Sequence, residues 1–277
     1  MRKEDLVKWG LIGSLIVGIP IGAKYALRNE PNQNTADLGI VKMQKSKLLS
    51  SIPINERDQL AKDLSSELEI PFSSGVVYDH DGSKILDHIE ELMKAEPDET
   101  IRTEVVNKYR NIFLNRGYSA RVPYINISGK LGYDKAPIFL GKLIFEHPVF
   151  SGYTVRDLRS VVEKHEHVHC EQNAKGYWFV EKEDFHKGIE EGRYSGDLIA
   201  NLRELDAMKV QVDDMMSNTE LSRRYKLRTL TILEKYYGLA LQELDKSPTE
   251  GNKKLFRRDM QRLEDLPEFE KLKLERR

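Results

Sequence analysis

The chain has 277 residues, 39% hydrophobic and 32% charged, which is apolar enough for a sizeable core and argues against a disordered polymer. With 44 Lys and Arg against 45 Asp and Glu the net charge is -1, so no bulk positive charge points to nucleic acid as a partner. The single cysteine, Cys170, excludes an intrachain disulfide and a four-cysteine zinc knuckle.

Between Lys8 and Lys24 runs "WGLIGSLIVGIPIGA", without a charge. If the two lysines snorkel, the apolar reach covers residues 6–27, near the roughly 20 residues that span a bilayer core. Trp9 and Tyr25 stand near its ends, where amphipathic rings favour the interface. The pattern predicts a single-pass membrane anchor or signal-anchor helix over 1–28, with a cleaved signal peptide and an interfacial helix as alternatives. Basic residues flank both ends, so the side of the membrane is not encoded. Polar "RNEPNQNTADLG" opens a linker over 29–50.

Residues 55–68, 83–94 and 100–115 space apolar side chains by three and four, and Gly117 closes the last run, so 51–118 is expected to be a helical scaffold. "DHDG", 79–82, lacks the later oxygen ligands and the closing Glu of a calcium loop and is expected to be a turn. After Gly117, "ARVPYINISG" and "APIFLGKLIF" are β-branched and aromatic, predicting two strands of a small sheet before the next helix. An exposed edge of that sheet would hold an extended peptide; the alternative is that the strands only cover a helix.

That helix starts at Thr154, an N-cap with Asp157 three residues on, and meets no Pro or Gly before Gly176. It carries "VVEKHEHVHCEQ". At 100° per residue, His165 and His169 fall within the apolar arc of Leu158, Val161, Val162 and Val168, while Glu166 flanks it and His167 points the other way. Imidazoles one turn apart converge on a tetrahedral zinc ion, and an adjacent glutamate reaches the metal-bound water without being a ligand. Catalytic use would have Glu166 as general base toward that water. The competing reading is a core helix with two incidental histidines, each needing another buried partner.

"HEHVHCEQ" resembles the HExxH motif of the zincin metallopeptidases. "NLRELDA", on a helix capped by Ser195, resembles the third-ligand helix of membrane-anchored gluzincins. The resemblance covers 136–216. It implies an α+β, mostly helical zincin-like domain, Zn2+ as cofactor, Glu204 as third metal ligand and a protein or peptide substrate. Where those gluzincins carry an Asp four residues after the ligand, this chain has Met208, with Asp197 and Asn201 on the same helix as substitutes in supporting a histidine. His186 is the rival third ligand.

Other groups have plainer expectations. Cys170 is a buried packing residue, His147 stands near a strand end and a cleft, and Arg193 and Tyr194 are candidate oxyanion stabilisers. The basic runs "SRRYKLR" and "KKLFRR", on charged helices over 219–244 and 253–263, are expected to be solvated faces, with membrane contact as the alternative. The expected division is thus 1–28 anchor, 29–50 linker, 51–118 helical scaffold, 119–216 catalytic core and 217–277 C-terminal helices. The expected function is a membrane-bound zinc metallopeptidase. The alternative is a membrane-tethered helical binding or scaffold protein with an inactive or structural metal site.

Overall fold

The computed structural model describes residues 46–123, 126–127, 130–131, 135–175 and 191–264. The expected membrane segment and His186 lie outside them. Among the described residues no helix is long and apolar enough to cross a membrane.

The molecule is mostly helical with a small sheet. Helix α1 (Ile54–Glu67) leads to β1 (Ser73–Asp79), then α2 (Ser83–Met93) and α3 (Glu99–Arg116). Two short strands, β2 (Ala120–Arg121) and β3 (Asn126–Ile127), precede β4 (Lys130–Leu131) and β5 (Ala136–Gly141). The one-turn α4 (Leu143–Glu146) leads to a long helix in three parts: α5 (Val155–Ser160), a π-helical segment Val161–Glu166 and α6 (His167–Lys175). Helices α7 (Gly196–Ser217), α8 (Arg223–Lys246) and α9 (Glu250–Glu264) complete it.

The three-stranded sheet has the order β1-β5-β2, with β1 parallel and β2 antiparallel to β5. Strand β1 falls between two of the expected helical runs, in a scaffold for which no strand was expected. Its alternation is hidden because the sheet is covered on both faces: Val76, Tyr78, Ile138 and Leu140 enter the main core, while Val77 and Phe139 pack with α2 and α3. A strand buried on both sides reads as a continuous apolar run. β3 and β4 form a separate hairpin, so "ARVPYINISG" is not one strand. "LIF" is not strand either, because β5 stops at Gly141. A Cβ there would collide with the Tyr118 carbonyl oxygen, and the following apolar residues turn into α4.

"DHDG" is a turn, as expected. The buried Asp79 carboxylate accepts from the Gly82, Lys84 and Ile85 amides and from the Tyr118 hydroxyl, and Gly82 supplies the positive φ of 86° that starts α2.

The end of the expected linker belongs to the fold. Leu49 is fully buried, its amide donates to the Tyr153 carbonyl, and the Lys47 carbonyl accepts from Val155 at the start of α5. One apolar cluster joins Leu49 to Met260, running through the expected scaffold, catalytic core and C-terminal helices alike.

Candidate metal centre and its cavity

Helix α5 begins as its sequence dictates. Thr154 Oγ1 accepts from the Asp157 amide at 3.2 Å and Asp157 Oδ2 accepts from the Thr154 amide at 2.8 Å, a closed capping box of a kind that contributes about 1 kcal/mol. Asp157 Oδ1 also accepts from the Ser222 amide at 2.9 Å, pinning the start of α5 to the start of α8. Leu158 and Val162 are fully buried and fix which face of the helix turns inward, at about 1.5–3 kcal/mol for each such side chain. The helix then widens. His167 N–H bonds to the Val162 carbonyl five residues back, and the π segment ends on Glu166. Single π turns of this kind recur at functional sites.

Helix α7 packs across that region. The expected arc of Leu198, Leu202, Leu205, Met208, Val212 and Met215 is buried, and it carries Glu204 against the two histidines. His165 Nε2 and His169 Nε2 are 3.3 Å apart and lie 3.5 and 3.6 Å from the two Glu204 oxygens. Donors around a tetrahedral zinc with bonds of about 2.0–2.1 Å sit roughly 3.3–3.4 Å from one another. The spacing of the two nitrogens matches that value, each faces its own Glu204 oxygen, and one donor atom from each residue lies within 4.8 Å of the others, so the ligand chemistry fits a zinc ion.

The support for His169 is built into its own helix. His169 Nδ1 lies 2.8 Å from Gln172 Oε1, and Gln172 Nε2 donates to the Arg203 carbonyl and to Asp206 Oδ2, both at 3.2 Å. Those two acceptors orient the amide, so its oxygen faces the imidazole and the proton of His169 sits on Nδ1. The Nε2 lone pair is thereby aimed at Glu204. Gln172 takes the supporting role expected of Asp197 or Asn201. Asp197 instead answers to the charges of Glu243 and Lys246, and burial raises its pKa.

His165 has a different neighbour. Its buried Nδ1 makes no hydrogen bond, and Gln211 lies beside the ring. Gln211 donates to Tyr225 Oη at 2.8 Å, Tyr225 Oη meets Ser160 Oγ at 2.8 Å, and Ser160 Oγ donates to Asp214 Oδ2 at 2.6 Å. This chain holds the Gln211 nitrogen away from the imidazole and leaves its oxygen for the ring.

Electrostatics separate the two site carboxylates. Burial raises Glu204, yet the two imidazoles outweigh it and hold the carboxylate well below its ordinary range. Burial also raises Glu166, and there it wins over the histidines and Arg121, so its proton affinity is increased. Burial lowers His165, but Glu204 and Glu166 raise it overall. One partly buried carboxylate is therefore kept charged beside nitrogen donors, and its buried neighbour is tuned toward accepting a proton.

One cavity is lined by His165, Glu166, His169 and Glu204 together. Arg121, Tyr236, Arg228 and Lys235 line it too, and none of the four was singled out from sequence. Only Arg228 carried a signal, in "SRRYKLR", where it was expected to be solvated. Met208 lines the same cavity. Arg193 and Tyr194 do not line it. The Arg193 carbonyl accepts from Thr249, and the Tyr194 ring packs against Gly251. His147 is likewise elsewhere, its Nδ1 accepting from the Val149 amide to cap a short turn. Cys170 is buried with Sγ toward the Ala136 carbonyl, as a packing residue. β5 is the central strand, so an extended peptide would have to pair at β1 or at two-residue β2, and Ala120 and Arg121 of β2 line the cavity.

No family model, curated protein or solved structure matches the chain. The chemistry of the site is read from its own residues.

Proposed function

We propose that the chain is a zinc-dependent metallopeptidase of the zincin type, with His165, His169 and Glu204 as metal ligands and Glu166 as general base. The observation that supports this is the grouping of one donor atom each from His165, His169 and Glu204 within 4.8 Å of one another, with a buried, proton-accepting carboxylate in the same cavity. Bound zinc would supply Lewis acidity, lowering the pKa of a water toward about 7 and polarising the scissile carbonyl. Glu166 takes the proton of the attacking water as the new C–O bond forms and delivers it to the leaving amine as the C–N bond breaks. Gln172 holds the His169 imidazole in place, and Gln211, fixed by Tyr225 and Thr229, lies beside that of His165.

The residue pattern of 6–27 supports an N-terminal membrane anchor for this enzyme. Full-length protein is expected to stay with membranes through alkaline carbonate, while a chain starting near Asn32 stays soluble and binds zinc.

One observation favours the rival reading of a binding or scaffold protein: His165 and His169 already face Glu204 at distances an ion pair also adopts. Elemental analysis of full-length protein purified without added metal separates the two. Stoichiometric zinc, with peptide hydrolysis that stops on chelation and returns on zinc, is the expected outcome. Metal-free, inactive protein that takes up no added zinc would leave the ion-pair reading standing.

A further inference from the structure

Four cations line the cavity, Arg121, Arg203, Arg228 and Lys235, against two carboxylates, Glu166 and Glu204. The surplus is not neutral packing. Arg203 is committed to α6, with Nε 3.3 Å from Gln172 Oε1, and Arg121 answers electrostatically to Glu204 and Glu166. Arg228 and Lys235 differ. They lie two turns apart on one face of α8, with Ile232 between them on the same wall. Neither has an ion-pair partner among the described residues, and Arg228 Nε is buried without a hydrogen-bond acceptor. Desolvation lowers Lys235 and the Arg228 charge lowers it further, against the opposite pull of the Glu204 carboxylate. Two like charges turned into a half-enclosed cavity cost free energy unless an anion comes between them.

We propose that Arg228 and Lys235 form a carboxylate-recognition end of this cavity, so that the favoured substrate is a peptide bearing a carboxylate near the scissile bond. This deepens the metallopeptidase reading and rests on it. A guanidinium offers a planar fork matched to two carboxylate oxygens, and the ammonium adds a point charge beside it. Val122, Phe150 and Ile232 supply apolar wall for the intervening side chains. The carboxylate comes either from the peptide's C-terminus or from an Asp or Glu side chain.

Three N-dansyl tetrapeptides of Phe and Ala test this: one with a free C-terminus, one C-amidated, and one C-amidated with a Glu replacing an Ala. Binding is read by fluorescence anisotropy on full-length, zinc-loaded Glu166→Gln protein, so that no peptide is consumed. At least one carboxylate peptide is expected to bind about tenfold or more tighter than the neutral amide, and the one that does identifies the source. Arg228→Gln with Lys235→Gln is expected to erase the preference. Should that double variant fail to fold, each single variant is expected to reduce it, and raising the salt to weaken it in the parent. Equal binding of all three peptides, no binding of any, or a preference that survives the substitutions overturns the proposal. Cleavage without a carboxylate preference sinks this proposal alone, whereas a preference without cleavage by the unsubstituted protein sinks the peptidase reading alone.

Discussion

Asp79 and Glu204 are both withdrawn from solvent, but the fold completes one and leaves the other open. Asp79 is saturated by its own neighbourhood: three backbone amides at 3.0–3.3 Å and the Tyr118 hydroxyl at 2.7 Å. Glu204 faces two imidazole nitrogens at 3.5 and 3.6 Å, and those nitrogens face one another at 3.3 Å. A buried carboxylate ringed by short donors has finished its work when the chain folds, because each oxygen recovers what it lost on leaving water. A carboxylate grouped with two other lone-pair donors around a common point is arranged for a cation. Withdrawal from solvent thus serves stability at the end of β1 and, on the proposed reading, chemistry on α7.

Glu166 gives the largest effect that would sharpen this contrast. Glu166→Gln is expected to keep zinc and fold while reducing peptide hydrolysis by about 10²–10⁴-fold, since the amide cannot accept the water's proton. Turnover near the parent rate would remove Glu166 from the mechanism. The direct contrast comes next. Glu204→Ala is expected to lower zinc affinity by more than the roughly 10–100-fold that loss of a supporting residue costs. Asp79→Ala is expected to leave zinc untouched and to destabilise by about 3 kcal/mol, because it strands several buried donors at once. A competition titration with a zinc chelator and urea unfolding of both variants read the two quantities. If Glu204→Ala were the more destabilising and kept tight zinc, it would be a structural ion pair and the contrast would collapse.

How far the sequence revealed each region follows from how local its interactions are. The pairing of His165 with His169 is set within one turn, and the Thr154 capping box within three residues, so both were legible. The DHDG turn was legible for the same reason. Strand β1 was not, because its partner β5 lies about 60 residues on and both its faces are covered. Glu204 came from resemblance rather than periodicity, since its place beside the histidines depends on how α7 crosses the long helix. Arg121 and Arg228 look like any surface cation until tertiary packing turns them into a cavity. Gln172, by contrast, was readable: it follows His169 by three residues on the same helix, a spacing that brings side chains together.

Gln172 therefore supplies a graded test. Gln172→Ala removes the acceptor that fixes the His169 proton on Nδ1, and also the link to Arg203 and Asp206. Zinc affinity is expected to fall by about 10–100-fold, less than for Glu204→Ala, with the cavity residues unchanged. Gln172→Glu, which keeps an acceptor at the same reach, is expected to recover most of it. A neutral Gln172→Ala would show that packing alone orients His169.

The smallest effect is expected at the third histidine of the motif. In α6, residues 167 and 169 are two positions apart, which places their side chains about 200° from each other around the helix axis. His167 is accordingly outside the group of His165, His169 and Glu204, and it is half-buried rather than turned into the cavity. Alanine is also the better helix former, by up to about 0.7 kcal/mol, which offsets part of whatever contact is lost. His167→Ala is expected to keep stoichiometric zinc and to change unfolding stability by less than about 1 kcal/mol. A large loss of zinc would mean that the π segment rotates the helix further than the His165–His169 contact indicates. His167 would then belong with the carboxylates and imidazoles of the site rather than on the outer face.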